Sequence, residues 1–214
     1  MFALKVEKLV NIDHNSSEVP TTIYENRDAP VKTKTPATIE DLYRMPGKAE
    51  LVNGEIVLMS PTGDTTSRAG LRISRSLLDY EDRTQLGRAY PDNAAFVVDL
   101  PHRKSFSPDA AFYTGEVPKG VNMKFVVGAP IFAAEVRSEG DYGPAAEKRM
   151  KDKRSDYFEA GTQIVWDVDL RGDDVVRAYR ADDPEKPVIY RRGEVANAEP
   201  FLPGWTIPVD ELFK

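Results

Sequence analysis

The sequence predicts an α/β protein of the α+β kind, in which a central mixed β-sheet is flanked by helices. Two observations predict this class: short apolar runs typical of strands recur along the chain, and two longer segments repeat apolar residues at helical spacing. Strands that precede and follow a helix are typical of a sheet with helices packed on it. With 214 residues, 41% of them hydrophobic, the chain can bury one good core.

The N-terminal region is polar and is broken by Pro20, Pro30 and Pro36. We therefore interpret residues 1–36 as a loosely attached N-terminal arm. Residues 37–214 are expected to form a single domain.

The domain is expected to begin with a short helix and a β-hairpin. Thr38 offers an N-cap for a helix that Pro46-Gly47 would stop. Asn53-Gly54 lies between two apolar runs, which is the strongest short-range hairpin signal in the chain.

A longer helix is predicted from about Thr66 to Tyr80. Leu71, Ser74, Leu77 and Leu78 repeat there at helical spacing and predict the buried face. Another face carries a basic stripe of Arg68, Arg72 and Arg75.

A second helix is predicted over 144–160, with Gly161 as a left-handed cap. Met150 and Tyr157 belong to its apolar stripe, and Lys153 falls on the same face. An inward lysine needs carboxylates nearby, or it must extend to the helix edge. Strand-like runs lie around this helix at 94–100, 110–113, 130–136, 163–170 and 175–179, followed by a closing strand and a short segment from Val209 to Phe213.

Composition excludes several function classes. The formal net charge of −6 gives no global basic field, so any contact with DNA must be local. The chain has no cysteine, which excludes disulfides and thiolate metal sites and fits a reducing cytoplasm, the location that we expect. The start of the chain has no sustained apolar run, so we expect neither a signal peptide nor a membrane span.

Two carboxylates occur where apolar strands are predicted. Glu135 lies inside one apolar run, where an ionised group needs a cation, hydrogen bonds or a metal beside it. Asp109 precedes another, and two such oxygen ligands meeting at a strand end would suit Mg²⁺. The alternatives are a pairing of Glu135 with Arg137 or a nearby lysine, and a turn role for Asp109 after Pro108.

Pro91-Asp92 repeats the Pro-Asp pattern ahead of an apolar run. We favour Asp109 as the partner of Glu135 because their separation suits one loop and a strand start. Asp92, by contrast, leads into a run that reaches Asp99.

Several motifs, in this order and spacing, resemble a bacterial family that is abundant in cyanobacteria and is described as "putative restriction endonuclease". The resemblance covers about 38–213. It is carried by Glu50-Leu51-Val52-Asn53-Gly54-Glu55-Ile56, Met59-Ser60-Pro61, Ser107-Pro108-Asp109, Glu135-Val136-Arg137-Ser138 with Asp141, Lys153 to Tyr157 to Gly161, and Trp166-Asp167-Val168-Asp169.

The resemblance implies a PD-(D/E)XK restriction-endonuclease-like fold and a Mg²⁺-dependent nuclease, with Mn²⁺ as an alternative ion. It implies that Asp109 and Glu135 are metal ligands and that the Val136 carbonyl is a further one. Lys153 matches the helix lysine of the family, and Glu50 matches an N-terminal glutamate that reaches the same cluster. An exposed position at the start of a strand is the alternative for Glu50.

The chain departs from the family pattern at two places. Arg137 replaces the motif lysine, and because a guanidinium stays protonated it cannot act as a base. Lys153 could take its place from the helix. The histidine that many members carry after Met-Ser-Pro is missing at 65–67, and the only histidines are His14 and His102.

The leading hypothesis is hydrolysis of DNA phosphodiester bonds by a homodimer, since cutting both strands commonly uses two active sites. Two alternatives remain: a catalytically inactive binding or assembly module, and a metal-dependent hydrolase of small phosphorylated substrates. Candidate DNA contacts are basic residues on the two helices, which could equally be solvated faces: Arg68, Arg72, Arg75, Lys148, Arg149, Lys151 and Arg154.

Overall fold

The computed structural model describes residues 36–214, so the arm predicted at residues 1–36 lies outside the described residues except for its last position. The elements of the described chain are, in order, α1 (Ile39–Leu42), β1 (Ala49–Val52), β2 (Glu55–Leu58), α2 (Asp64–Thr84), β3 (Arg88–Pro91), β4 (Phe96–Val97), β5 (Ser105–Phe106), β6 (Ala110–Tyr113), β7 (Val126–Val127), β8 (Phe132–Val136), α3 (Pro144–Glu159), β9 (Ile164–Val168), β10 (Val176–Arg180), β11 (Asp183–Tyr190), β12 (Val195–Asn197), β13 (Thr206–Pro208) and the 3₁₀ helix η1 (Val209–Phe213).

A six-stranded sheet in the order β11-β10-β9-β8-β6-β3 forms the centre of the fold. Its neighbours are antiparallel except for β8 and β9, which are parallel and are connected through α3. The predicted mixed sheet with flanking helices is therefore confirmed.

The two faces of the sheet contribute to two hydrophobic cores. On one face Ile73 and Leu77 of α2 pack with Phe112 and Trp166, and the C-terminal Trp205 belongs to the same core. On the other face Tyr157 of α3 packs in a core with sheet residues such as Ala133 and Val165. Successive strand residues therefore face α2 and α3 alternately, as the pleat requires.

The predicted hairpin is confirmed. Asn53 and Gly54 both have positive φ, 53° and 73°, as a two-residue hairpin turn of type I′ requires. The hairpin is attached to the rest of the domain because the Leu51 amide donates to the Ser105 hydroxyl at 2.8 Å, and Leu51 packs in a small core with Leu42.

The helix ends also agree with the sequence. Thr38 caps α1 in a reciprocal capping box with Asp41, although α1 ends at Leu42, before Pro46-Gly47. Gly161 follows the C-cap of α3 with φ of 109°. Among the described residues, no helix is both long enough and apolar enough to cross a membrane.

The predicted buried face of α2 is wrong in part. Leu71 and Leu78 are 62% and 49% exposed, whereas Ser74 and Leu77 are buried together with Ala69, Ile73 and Tyr80. Both stripes have helical spacing, and the sheet selects the one whose residues fit against its surface.

The predicted strand at 94–100 is reduced to β4, because the chain beyond it bends back and the Val98 amide donates to the Lys104 carbonyl. The edge strands β3 and β11 were not predicted. Neither edge strand shows the clean apolar alternation of a half-buried strand, so periodicity gave no signal.

Candidate active site

Four carboxylates lie in a row across one end of the central sheet. Glu135 pairs with Asp167 in the parallel register of β8 and β9. Ala110 of β6 pairs with Ala134 of β8, so the antiparallel register brings the next residues, Asp109 and Glu135, opposite each other. Pro91 of β3 pairs with Ala110 of β6, so the next residue, Asp92, lies beside Asp109. Because side chains alternate along a strand, all four belong to the face that α3 covers.

A cleft of about 780 Å³ opens over three of these carboxylates, Asp109, Glu135 and Asp167. Its acidic lining residues, nine in number, are Glu50, Glu55, Asp109, Glu135, Asp141, Asp152, Asp156, Glu159 and Asp167. The basic ones, six in number, are Lys48, Arg103, Arg137, Arg149, Lys153 and Arg154. The excess of acidic groups would repel a phosphate, so a phosphorylated substrate needs an added cation here.

Asp109 is fixed by contacts on both carboxylate oxygens. The Val136 amide donates to Oδ2 at 2.8 Å, and the Lys48 ammonium donates to Oδ1 at 2.6 Å. The Asp109 amide in turn donates to the Ala134 carbonyl at 3.0 Å. The carboxylate is thus oriented by β8, the strand that carries Glu135.

Glu135 receives two donors from α3. The Lys153 ammonium lies 2.9 Å from its carboxylate, and the Tyr157 hydroxyl donates to it at 2.6 Å. Burial, together with the nearby carboxylates of Asp109 and Glu50, raises the pKa of Glu135 against the opposing effect of Lys153. Burial and the carboxylates of Glu135 and Glu50 raise the pKa of Tyr157 well above its usual range, so Tyr157 remains a hydrogen-bond donor.

Glu50 is buried, with 3% of its surface exposed, so the alternative of an exposed strand-start glutamate is wrong. Its carboxylate accepts hydrogen bonds from the Ser107 amide at 2.9 Å, from Arg103 at 2.5 Å and from Lys153 at 2.9 Å. Burial alone would raise the pKa of Glu50, but the charges of Lys153 and Arg103 lower it to about 2. Glu50 is therefore an anion at neutral pH.

Lys153 therefore lies between two carboxylates. Burial alone would lower the pKa of Lys153, but Glu135 and Glu50 outweigh that effect and raise it. The side chain is an ammonium at neutral pH, which makes it a hydrogen-bond donor and a positive charge.

Arg137, at the position of the motif lysine, is held by other acids. Its guanidinium makes two hydrogen bonds of 2.7 Å to Asp167 and two more to Glu147. Its hydrogen bonds to Asp167 outweigh burial and raise the pKa of Arg137, so it stays charged. The arrangement makes Arg137 a clamp between β8 and β9.

The donor set fits a hard divalent cation. Asp109 and Glu135 present carboxylates on adjacent strands, and the Val136 carbonyl belongs to the same strand end. Asp109 already accepts a cationic group, the Lys48 ammonium, at 2.6 Å.

A second group, at another part of the cleft, brings ligand atoms of His102, Asp156 and Glu159 within 4.8 Å of one another. Asp156 there is already paired with the buried Arg103 at 2.7 Å. Its third member, Glu159, is exposed, whereas Asp109 and Glu135 lie at the ends of largely buried strands.

Most of the predicted DNA-contacting residues lie outside the cleft. Arg68 and Arg72 donate to the Lys214 carbonyl at 3.1 and 3.3 Å. On α3, Lys148 pairs with Asp152 and Lys151 pairs with Glu185. Of the seven basic helix residues named from the sequence, those that line the cleft are Arg149 and Arg154, and those that do not are Arg68, Arg72, Arg75, Lys148 and Lys151.

Sequence reasoning assigned no role to Lys48, Arg103 or the Tyr157 hydroxyl. A signal for Lys48 was present, because it precedes Glu50 by two residues and strand alternation places both on one side of the hairpin. Arg103 lies in a polar stretch between β4 and β5 and gave no such signal.

The sheet topology, with paired acids at the ends of adjacent strands, defines a restriction-endonuclease-like protein. A solved structure supports this class: a crystal structure described as a "putative nuclease" from Anabaena variabilis matches with a TM-score of 0.65 and 16% identity, over 83% of this chain and 98% of that chain. At that identity the likeness concerns the fold. The family described as "Putative restriction endonuclease", called Uma2, matches residues 39–210, and the chain belongs to this family. No curated protein matches.

Proposed function

We propose that the chain is a divalent-metal-dependent nuclease that hydrolyses phosphodiester bonds of DNA. One observation carries the proposal: Asp109 and Glu135 come opposite each other at the cleft, with the Lys153 ammonium 2.9 Å from Glu135. Two acids and an ammonium provide the parts that metal-assisted phosphoryl chemistry needs. Membership of the family supports the same reaction class.

Asp109, Glu135 and the Val136 carbonyl would hold the cation, with Mg²⁺ as the expected ion and Mn²⁺ as its substitute. When bound, the ion would supply Lewis acidity toward a phosphoryl oxygen and lower the pKa of a bound water. It would also offset the acidic lining, which otherwise disfavours a phosphate.

Lys153 would stabilise negative charge on the phosphate and orient the attacking water. Its raised pKa supports the role of a donor over that of a base. Glu50 holds the Lys153 ammonium in place, and Arg103 in turn binds the Glu50 carboxylate. Tyr157 fixes the other partner, Glu135.

Arg149 and Arg154 extend the cleft lining with positive charge and are the nearer candidates for contacts to the DNA backbone. The Arg154 guanidinium stacks 3.6 Å from the ring centroid of Tyr179, which restricts its orientation. The other basic helix residues would contact only DNA that extends beyond the cleft.

The test combines calorimetric titration with Mg²⁺ and Mn²⁺ and a plasmid-nicking assay on the wild type, Asp109→Asn and Glu135→Gln. We expect the wild type to bind metal and nick DNA, and both variants to lose metal binding and nicking. Asp152→Asn is the matched control, because Asp152 lines the cleft but is exposed and paired with Lys148.

If the wild type binds no divalent metal, or the two variants bind it unchanged, the proposed site is wrong and a binding or assembly module becomes the better explanation. If metal binds but only small phosphorylated compounds are hydrolysed, the substrate assignment fails while the metal site stands.

A further inference from the structure

Lys48 lies between two carboxylates of the row. Its Nζ is 2.6 Å from Asp109 Oδ1 and 2.6 Å from Asp92 Oδ1. The Lys48 side chain is 15% exposed and that of Asp109 is 12% exposed, whereas that of Asp92 is 51% exposed. One ammonium therefore bridges a buried acid and an acid that reaches solvent.

The fold fixes both ends of this bridge. Lys48 directly precedes β1, and its carbonyl accepts a hydrogen bond from the Met59 amide at 3.0 Å across the hairpin. Asp92 directly follows β3, and Asp109 directly precedes β6, the strand with which β3 pairs. The hairpin and the sheet edge thus bring the three charges together.

A divalent cation on Asp109 and the Lys48 ammonium compete for the same carboxylate, because two positive charges at contact distance repel each other strongly. Lys48 needs only a small shift to leave Asp109, since Asp92 is already within hydrogen-bond distance. Asp92 therefore provides a second partner on the solvent side.

We infer that Lys48 occupies the cation position on Asp109 in the metal-free protein, and that Asp92 retains the ammonium when a divalent cation takes its place. The inference rests on the proposed metal site and assigns Lys48 and Asp92 as positioning residues of that site. In the metal-free state the bridge offsets the repulsion between Asp109 and Glu135.

The experiment is a calorimetric Mn²⁺ titration of the wild type, Lys48→Met, Asp92→Asn and the double variant. We expect Lys48→Met to bind Mn²⁺ about tenfold more tightly, because the competing ammonium is gone, and Asp92→Asn to bind about tenfold more weakly. In the Lys48→Met background, Asp92→Asn should change the affinity much less, because Asp92 acts through Lys48. The melting temperature of metal-free Lys48→Met should fall and recover when Mn²⁺ is added.

Lys104→Met is the matched control. Lys104 also donates to an aspartate, Asp99, at 2.6 Å, but that pair is exposed and lies outside the cleft. The Mn²⁺ affinity of Lys104→Met should equal that of the wild type. If metal-free Lys48→Met does not fold, Lys48→Gln is the substitute, because it keeps a hydrogen-bond donor and removes the charge. It should also bind Mn²⁺ more tightly than the wild type.

Unchanged or weaker Mn²⁺ binding by the Lys48 variants, in a protein whose wild type binds through Asp109, overturns the inference and leaves the proposed function intact. An equal loss of affinity from Asp92→Asn in both backgrounds also overturns it, because Asp92 would then be a metal ligand itself. A wild type and Lys48 variants that all bind no metal overturn the proposed function and this inference together.

Discussion

The guanidinium of Arg137 binds the carboxylate of Asp167 through two parallel hydrogen bonds of 2.7 Å each. The two side chains are 5% and 4% exposed, so the pair is removed from water. It joins the end of β8, just after Glu135, to β9. The residue that replaces the motif lysine thus supports the strand that carries the candidate metal ligand.

Arg137→Ala should lower the free energy of unfolding by about 3–5 kcal/mol, because it leaves the Asp167 carboxylate buried without its partner. Urea unfolding measures this. Arg191→Ala is the control, since the pair of Arg191 with Asp174 is partly exposed and should contribute about 0–1 kcal/mol. Equal losses in the two variants would contradict a structural role for Arg137.

Lys153→Met should reduce plasmid nicking about 100-fold or more, because it removes a charge and a donor beside the reacting phosphate. Mn²⁺ affinity should not fall, since Lys153 donates to Glu135 without being a ligand. Tyr157→Phe loses one hydrogen bond to the same carboxylate and should reduce nicking less. A Lys153→Met protein that nicks at the wild-type rate would remove Lys153 from the mechanism.

Glu50 should make stability depend on pH in the acid range. Its pKa in the folded protein, about 2, lies below the ordinary 4.5, so its contribution is complete above about pH 4.5 and is lost as the pH falls toward 2. The difference corresponds to roughly 3 kcal/mol. Glu50→Gln should be less stable at pH 7 and lose less stability between pH 4.5 and 3. Parallel pH profiles of the two proteins would contradict this assignment.

DNA affinity should fall steeply with salt if the cleft takes a long polyanion. Arg149→Ala should weaken binding across sequences and reduce the salt slope by about 1, because Arg149 lines the cleft. Arg75→Ala, on the exposed face of α2, serves as the comparison and should leave the slope unchanged. A reduced slope for Arg75→Ala and an unchanged slope for Arg149→Ala would place the bound DNA on α2. A DNA affinity that does not depend on salt would favour a small phosphorylated substrate.

Features specified by neighbouring residues were predictable from the sequence. Asn53-Gly54 set the hairpin because both residues adopt positive φ, and Thr38 and Gly161 marked helix ends through local hydrogen bonding and backbone conformation. Asp109, Glu135 and Lys153 could be proposed as site residues because charged groups inside apolar patterns need partners. The order and spacing of the motifs between Glu50 and Asp169 indicated the family.

Only the tertiary structure decided which charges meet. Asp92 and Asp109 looked like alternatives in the sequence, yet the register of β3 with β6 makes them neighbours, and Lys48 joins them from the hairpin. Arg103 and the buried state of Glu50 likewise depend on contacts between segments far apart in the chain. The physical reason is that periodicity reports which side of an element is apolar, whereas electrostatic partners are set by strand register and by how separate elements dock.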